Sequence, residues 1–311
     1  MASGSTDLNL SIVVPMYQTE NDVLRKCLSS LKEILSKESG YEVIVVDSSS
    51  RSSDSLVQEI LPAATYVKHP TRLYVGAARN KGLSLARFDH ILFFDSDCLM
   101  TQDWINSYRV LIKDGIDWIS ASGFVGFEDI RQEYALAFHI WEFHDFLGER
   151  SGESRFSIGC NLLCKRSLFE KVGGFKEDWS HCEDFELFSR PDVQRLKKKI
   201  LFIPDLKIIH QAHLVDRAKL LAKATFMGST RKIYDSSLNS FSMTSRWLFR
   251  PLQSVLFLIF PLLILWRLSK SRSQYLGHAL ALIGLITSYS RAWQKGFATS
   301  ESGTPSRLGK P

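Results

Sequence analysis

Three apolar runs in this chain stop abruptly at polar or acidic residues. They are "LSIVVPMY" (10–17), "YEVIVVDSSS" (41–50) and "HILFFDSD" (90–97). Each has strand length, is rich in β-branched or aromatic residues, and lacks the polar alternation of a strand with one wet face. Such runs fit strands buried on both faces. "ATYVKHP" (64–70) reads as a further strand. Helical spacing lies between them. Asn21 and Asp22 can cap a helix that carries Val23, Leu24, Cys27, Leu28, Leu31, Ile34 and Leu35. "GAARNKGLSLAR" (76–87) reads as a second helix, weakened by Gly82. Strands alternating with helices predict an α/β fold, a largely parallel sheet covered on both faces.

Later segments are less regular. Strands are expected at 117–127, 155–166 and, singly or as a pair, 200–210. An aromatic-rich helix is expected at 133–147 and a short one at 182–190. No internal repeat is visible.

In a parallel sheet ligands collect at the carboxyl ends of the strands. Three ends here are polar: the loop after Tyr17, Asp47, and the pair Asp95 and Asp97. Residues i and i+2 share a face of an extended segment. Two carboxylates so placed suit a hard divalent ion, Mg2+ or Mn2+, with positions left for phosphate oxygens. A lone D-x-D is short, and taken by itself it is better explained as two solvated acids in a strand-end turn.

The pair has company. "SIVVPMYQTENDVLRKCLSSL", "EVIVVDSSSRSSD", "VGAARNKGLSLARFDHILFFDSDCLM" and "GGFKEDWSHCEDFELFSR" occur in one order and at one spacing. Together, over roughly residues 10–215, they resemble the family 2 glycosyltransferases, which have the GT-A fold: Rossmann-like, with a mostly parallel sheet flanked by helices.

The resemblance implies a role for each matching residue. The loop of Pro15 to Tyr17, with Asp47, would contact the base and ribose of a nucleotide donor, usually uridine. Arg79 would lie near the nucleotide. Asp95 would lie toward the ribose and Asp97 would bind the metal, with His210 completing its shell. Asp184 would be the catalytic base, with Glu183 beside it in the acceptor region. Two departures stand out. "DSSS" replaces the family's usual acid or asparagine and glycine after the first aspartate, and Gln18 stands where asparagine is common. Ser48 and Ser49 can still hydrogen-bond a base or ribose. The chemistry is consistent with these roles, since expelling a nucleotide diphosphate builds charge that a cation offsets. An attacking hydroxyl needs a general base within reach. Single displacement with inversion is the expected course.

Other clusters carry plainer explanations. His139, Glu142 and His144 in "HIWEFHD" do not have zincin spacing and read as a satisfied helix face. Phe138, Trp141, Phe143 and Phe146 read as core, with an acceptor platform as the alternative. His213 rivals His210 as the metal ligand. Gly173 and Gly174 read as a turn. "RLKKKI" (195–200) reads as a solvated face, or else a membrane-facing patch.

A net charge of +6 over 311 residues does not point to nucleic acid and suits an anionic substrate or membrane. Five cysteines, Cys27, Cys98, Cys160, Cys164 and Cys182, fit no disulfide framework and read as reduced thiols. "MASGSTDLNL" has no basic n-region and no apolar h-region, so neither signal peptide nor N-terminal anchor is expected.

The composition changes near residue 235, giving an expected catalytic domain at 1–235 and a hydrophobic helical tail at 236–311. "PLQSVLFLIFPLLILW" (251–266) and "YLGHALALIGLITSY" (275–289) are almost free of charge and flanked by basic residues. Each falls short of the ~20 apolar residues of a perpendicular span. A two-span hairpin would also strand Arg267, Lys270 and Arg272 on the outer side. Interfacial helices on the cytoplasmic face of a membrane fit better, and burial against the catalytic domain or a partner is the third choice.

The expected activity is therefore metal-dependent, inverting transfer from a nucleotide-sugar donor, UDP-linked by preference, to a saccharide or lipid-linked hydroxyl acceptor. A nucleotidyltransferase is one rival. The chain lacks the Gly-rich, basic loop after its first strand expected for handling a triphosphate. A non-catalytic, membrane-associated nucleotide-sugar-binding protein is the other, and donor binding without turnover would mark it.

Overall fold

The computed structural model describes residues 7–211, 216–237 and 259–299. Contacts divide the chain into two units. The first comprises Met1–Gly126, Arg150–Trp179 and Glu183–Gln211; the second comprises Phe127–Glu149, Ser180–Cys182 and Ala212–Pro311. The last segment of the second unit starts at 212, and that unit also takes in the aromatic helical segment 127–149 and residues 180–182.

The first unit opens with β1 (Leu10–Met16), α1 (Asn21–Leu35), β2 (Tyr41–Asp47), α2 (Asp54–Ile60), β3 (Thr65–Lys68), α3 (Val75–Leu85) and β4 (His90–Phe94). Next come β5 (Cys98–Met100), α4 (Gln102–Lys113), β6 (Ser120–Ser122) and β7 (Val125–Phe127). After the excursion into the second unit come β8 (Gly152–Glu153), β9 (Asn161–Lys165), α6 (Arg166–Val172), α7 (Glu183–Ser189), α8 (Pro191–Gln194), β10 (Ile200–Phe202) and β11 (Ile208–His210).

An eight-stranded sheet has the order β3-β2-β1-β4-β9-β6-β10-β8. Its first four strands are parallel, as the apolar runs predict. β9 then runs antiparallel to both neighbours, β4 and β6. A small sheet has the order β5-β11-β7, with β5 and β11 antiparallel.

The α1 boundary shows what the sequence concealed. Asn21 is already helical, and the N-cap, Glu20, makes no side-chain cap. Asp22 instead sits in the first turn, where its charge complements the helix dipole. Gly82 has a packing reason. A Cβ there would meet Val13 Cγ1 at 2.2 Å, so glycine lets α3 lie directly on β1. On that side of the sheet Val13, Phe93, Leu162, Leu168, Phe175 and Leu187 form a fully buried cluster.

The second unit is helical among its described residues. α5 is Glu133–Phe143, α9 Arg217–Ser237, α10 residues 259–270, α11 Leu276–Ala281 and α12 Ile283–Thr299. Phe138, Trp141, Phe143 and Phe146 are buried, as core residues should be. α9 and α12 touch backbone to backbone. A Cβ on Gly228 would meet the Trp293 carbonyl at 1.9 Å, and one on Gly296 the Thr225 carbonyl at 1.8 Å. No helix among the described residues is long and apolar enough to cross a membrane. Residues 251–258 of the first apolar tail segment, and His213, lie outside the described residues.

Candidate active site

Parallel pairing brings the polar strand ends together. Met16 of β1 stands opposite Asp47 of β2, and β1 also pairs with β4, whose last residue precedes Asp95 by one. The loop after β1 bonds to the D-S-D segment through the Thr19 and Ser96 hydroxyls, 2.7 Å apart.

Asp97 and His210 meet through the small sheet. Its register sets His210 opposite Cys98. His210 Nε2 thereby falls 3.6 Å from Asp97 Oδ2, with side-chain exposures of 17% and 28%. The pair is therefore reachable from solvent. Next along the chain, the Gln211 amide donates to the Asp97 carbonyl at 2.9 Å. A carboxylate oxygen and an imidazole nitrogen so placed fit two positions around a divalent ion. Among the described residues no group of three or more His, Cys, Asp and Glu side chains could hold an ion.

Arg79 connects the D-S-D to the acidic pair on α7. Its Nη2 donates to Asp95 Oδ1 at 2.8 Å and its Nη1 donates to Glu183 Oε1. The guanidinium is buried and lies 5.6 Å from the centre of the Phe175 ring. It also rests on Gly159, where a Cβ would meet Nη2 at 2.6 Å. One cation here faces three acids, Asp95, Glu183 and Asp184. Burial pushes the Glu183 carboxyl up to about 7, against the pull of Arg79 and with a further push from Asp184. Enclosure likewise raises Asp95 above the usual carboxylate range, with Arg79 opposing. Glu183 is thus a buried ion-pair partner of Arg79.

Asp184 is held by backbone. Oδ2 accepts from the Gly159 amide at 2.8 Å and Oδ1 from the Phe185 amide at 2.7 Å. One donor per oxygen fixes the carboxylate and leaves each oxygen a further lone pair. Before α7, Gly173 and Gly174 both have positive φ, +76° and +83°, and form the expected turn. Asn80 clamps the next residue, Phe175, at both backbone groups. Its Nδ2 donates to the Phe175 carbonyl and its Oδ1 accepts from the Phe175 amide, each at 2.9 Å.

Asp47 is completely buried. Its carboxylate accepts from the Ser49 amide at 2.7 Å, the Ser53 amide at 3.3 Å and the Tyr66 hydroxyl. It therefore shapes the 48–53 loop from beneath. Ser49 in turn accepts the Gln18 amide at 2.7 Å, with Gln18 at φ +51°. Pro15 lies at the buried end of β1 opposite Val46. Tyr17 lies beneath a residue that sequence reasoning missed. The Arg72 guanidinium sits 4.5 Å from the Tyr17 ring centre and 5.3 Å from that of Tyr74. Gly159, Asn80 and Tyr66 were also missed, and only the glycine left a trace, as a break in an apolar run.

The other clusters are engaged elsewhere. His139 is buried with its ring against Phe127 and Phe143. The Glu142 carboxylate lies 3.6 Å from Lys223 Nζ. His144 Nδ1 bonds to the Trp141 carbonyl at 2.8 Å and Nε2 contacts Arg267. Within 195–200, Arg195 and Lys199 face Asp192 and Asp117 on an exposed surface. Cys27, Cys98 and Cys164 are free and buried, and burial pushes their thiols upward, away from reactivity.

Known proteins share this arrangement of elements. The family model described as glycosyl transferase family 2 matches residues 11–173, just over half of the chain. The chain belongs to glycosyl transferase family 2. Among its relatives, the succinoglycan biosynthesis protein ExoW of Rhizobium meliloti is 32% identical over 187 residues, 52% of this chain and 57% of that protein. The pre-mycofactocin glycosyltransferase of Mycobacterium tuberculosis is 26% identical over 236 residues, 73% of this chain and 48% of that protein. Glycosyltransferase GlyA of Streptococcus pneumoniae is 30% identical over 138 residues, 43% of this chain and 19% of that protein. This member of the family thus spans between 19% and 57% of the length of these relatives. The mannosyltransferase PcManGT of Pyrobaculum calidifontis, solved in complex with GDP-Man and Mn2+, shares the GT-A fold. Its TM-score is 0.60 at 18% identity, covering 94% of this chain and 89% of that one.

Proposed function

We propose that this family 2 member transfers a glycosyl group from a nucleotide-diphosphate sugar to a hydroxyl acceptor, with inversion. The observation that carries the reading is the Asp95–Arg79–Glu183 bridge, which holds the D-S-D segment and the α7 acids in one cluster. Asp184 is the general base. Backbone amides fix its carboxylate, and a free lone pair accepts the proton of the attacking hydroxyl. Asp97 and His210 would hold a divalent ion, Mn2+ or Mg2+, which would offset charge on the departing diphosphate. Asp47 acts on the nucleotide through the loop it braces, with Ser48, Ser49 and Tyr17 nearest the base and ribose. UDP is the nucleotide this reading favours. A GDP-linked sugar is the competing arm, because PcManGT was solved with GDP-Man. The acceptor is a saccharide, free or lipid-linked, in keeping with the naming of ExoW for succinoglycan biosynthesis.

The test is nucleotide release from a panel of UDP- and GDP-sugars with Mn2+, Mg2+ or EDTA, alongside Asp97→Ala and Asp184→Asn. Metal-dependent release, lost in Asp97→Ala and reduced at least about 100-fold in Asp184→Asn with donor binding retained, is the expected result. Folded protein that binds no nucleotide sugar under any of these conditions would refute the reading.

A further inference from the structure

The two faces of α10 differ in what covers them. Pro261, Ile264 and Leu268 are buried. On the opposite face Ile259, Leu262, Leu263 and Trp266 are 46%, 61%, 37% and 56% exposed. These four stand at i, i+3, i+4 and i+7, so they form one continuous apolar stripe along the helix. Lys270 extends the same face, with its ammonium 5.0 Å from the centre of the Trp266 ring. Single exposed apolar side chains need no explanation, but four in register on one helix do.

Charge selects the occupant. From residue 236 to residue 300 the chain has no Asp or Glu, while Arg246, Arg250, Arg267, Lys270, Arg272, Arg291 and Lys295 are all basic. An apolar stripe in an acid-free, basic stretch is complementary to a layer that is apolar beneath an anionic surface. Trp and Lys side by side match the boundary of such a layer. At 1.5 Å per residue, the described helix reaches roughly 18 Å, short of a hydrocarbon core about 30 Å thick. A helix stretch of this length can lie in the interface.

We infer that the exposed face of α10 docks on an anionic phospholipid bilayer, with Leu262 and Trp266 entering the acyl boundary and Lys270 and Arg272 meeting the headgroups. The inference stands apart from the catalytic reading, since membrane binding needs neither donor nor turnover.

Co-sedimentation of the full chain with vesicles tests it. One set would be phosphatidylcholine alone and the other phosphatidylcholine with 30% phosphatidylglycerol (roughly the charge density that recruits basic segments). The wild type should pellet with the anionic vesicles and do so at least about tenfold less with neutral ones. Leu262→Ser/Trp266→Ser should lose at least about tenfold of the anionic binding at any salt. Lys270→Gln/Arg272→Asn should lose it mainly at low salt, where charge attraction is least screened. Both variants alter exposed side chains, and an unchanged thermal melt would confirm their folding. Undiminished pelleting of folded Leu262→Ser/Trp266→Ser would overturn the inference. So would a wild type that ignores vesicles but self-associates through this stripe, seen as a dimer that the serine variant abolishes.

Discussion

Arg79 and Glu183, 104 positions apart in the chain, form a buried ion pair. The same guanidinium holds Asp95. Above about pH 7, where Glu183 is ionised, removing the guanidinium leaves two carboxylates with no cation between them. Breaking a buried pair from one side costs about 3–5 kcal/mol. Arg79→Met should therefore lower unfolding free energy by about that amount, measured by urea denaturation. Arg79→Lys should recover only part of it, because an ammonium has no planar fork with which to serve two acids. A loss in Arg79→Met no larger than that of an exposed arginine would count against the bridge.

Glu183 sets a pH dependence of stability. Its carboxyl is pushed up to about 7 from an ordinary 4.5, first by burial. Between those values the folded protein keeps a proton that the unfolded chain has released. Stability from this group is thus full below about pH 4.5, falls as pH rises toward 7, and is flat above. The whole change amounts to at most about 3 kcal/mol. Denaturation midpoints at pH 5 and pH 7.5 should differ in the wild type, with the higher value at pH 5. In Glu183→Gln that difference should shrink. Equal pH slopes in the two proteins would show that another group is responsible.

Gly159 touches both halves of the cluster. Its amide holds Asp184, and the space above its Cα is filled by the Arg79 guanidinium. Gly159→Ala puts a methyl 2.6 Å from Nη2 of an arginine pinned at two ends. Overpacking of this kind costs about 1–3 kcal/mol. Turnover should fall further than stability implies, because the carboxylate of Asp184 moves with the backbone. Activity assayed well below the melting temperature separates the two effects, and wild-type kcat in this variant would show that Gly159 does not position Asp184 for turnover.

The parallel half of the sheet was plain in the chain because β1, β2 and β4 are largely apolar runs, interrupted within by Ser11 and Glu42 alone, which the sheet buries on both faces. Where the fold turns, that signal fails. The run 117–127 reads as one strand yet is two, β6 and β7. At Gly123 a Cβ would meet the Leu206 carbonyl at 2.0 Å, and the backbone breaks register there. Burial makes residues apolar on both sides of such a break, so composition does not record it. At the site, the small sheet brings His210 beside Asp97, a meeting that residue type alone could not announce. Asp47 and Glu183 show the limit: residue type marks a carboxylate, but whether it faces a ligand or braces a loop depends on contacts such as Tyr66 and Arg79.

The pairing of β5 with β11 joins residues 98–100 to 208–210. The D-S-D segment is therefore made early in synthesis and its histidine partner more than a hundred residues later. A nascent chain can complete its first four parallel strands while Asp97 still lacks its histidine neighbour. The Asp97–His210 pair thus arrives with the last strand of the first unit, and a product ending before Ile208 would keep every strand of the large sheet while losing that pair.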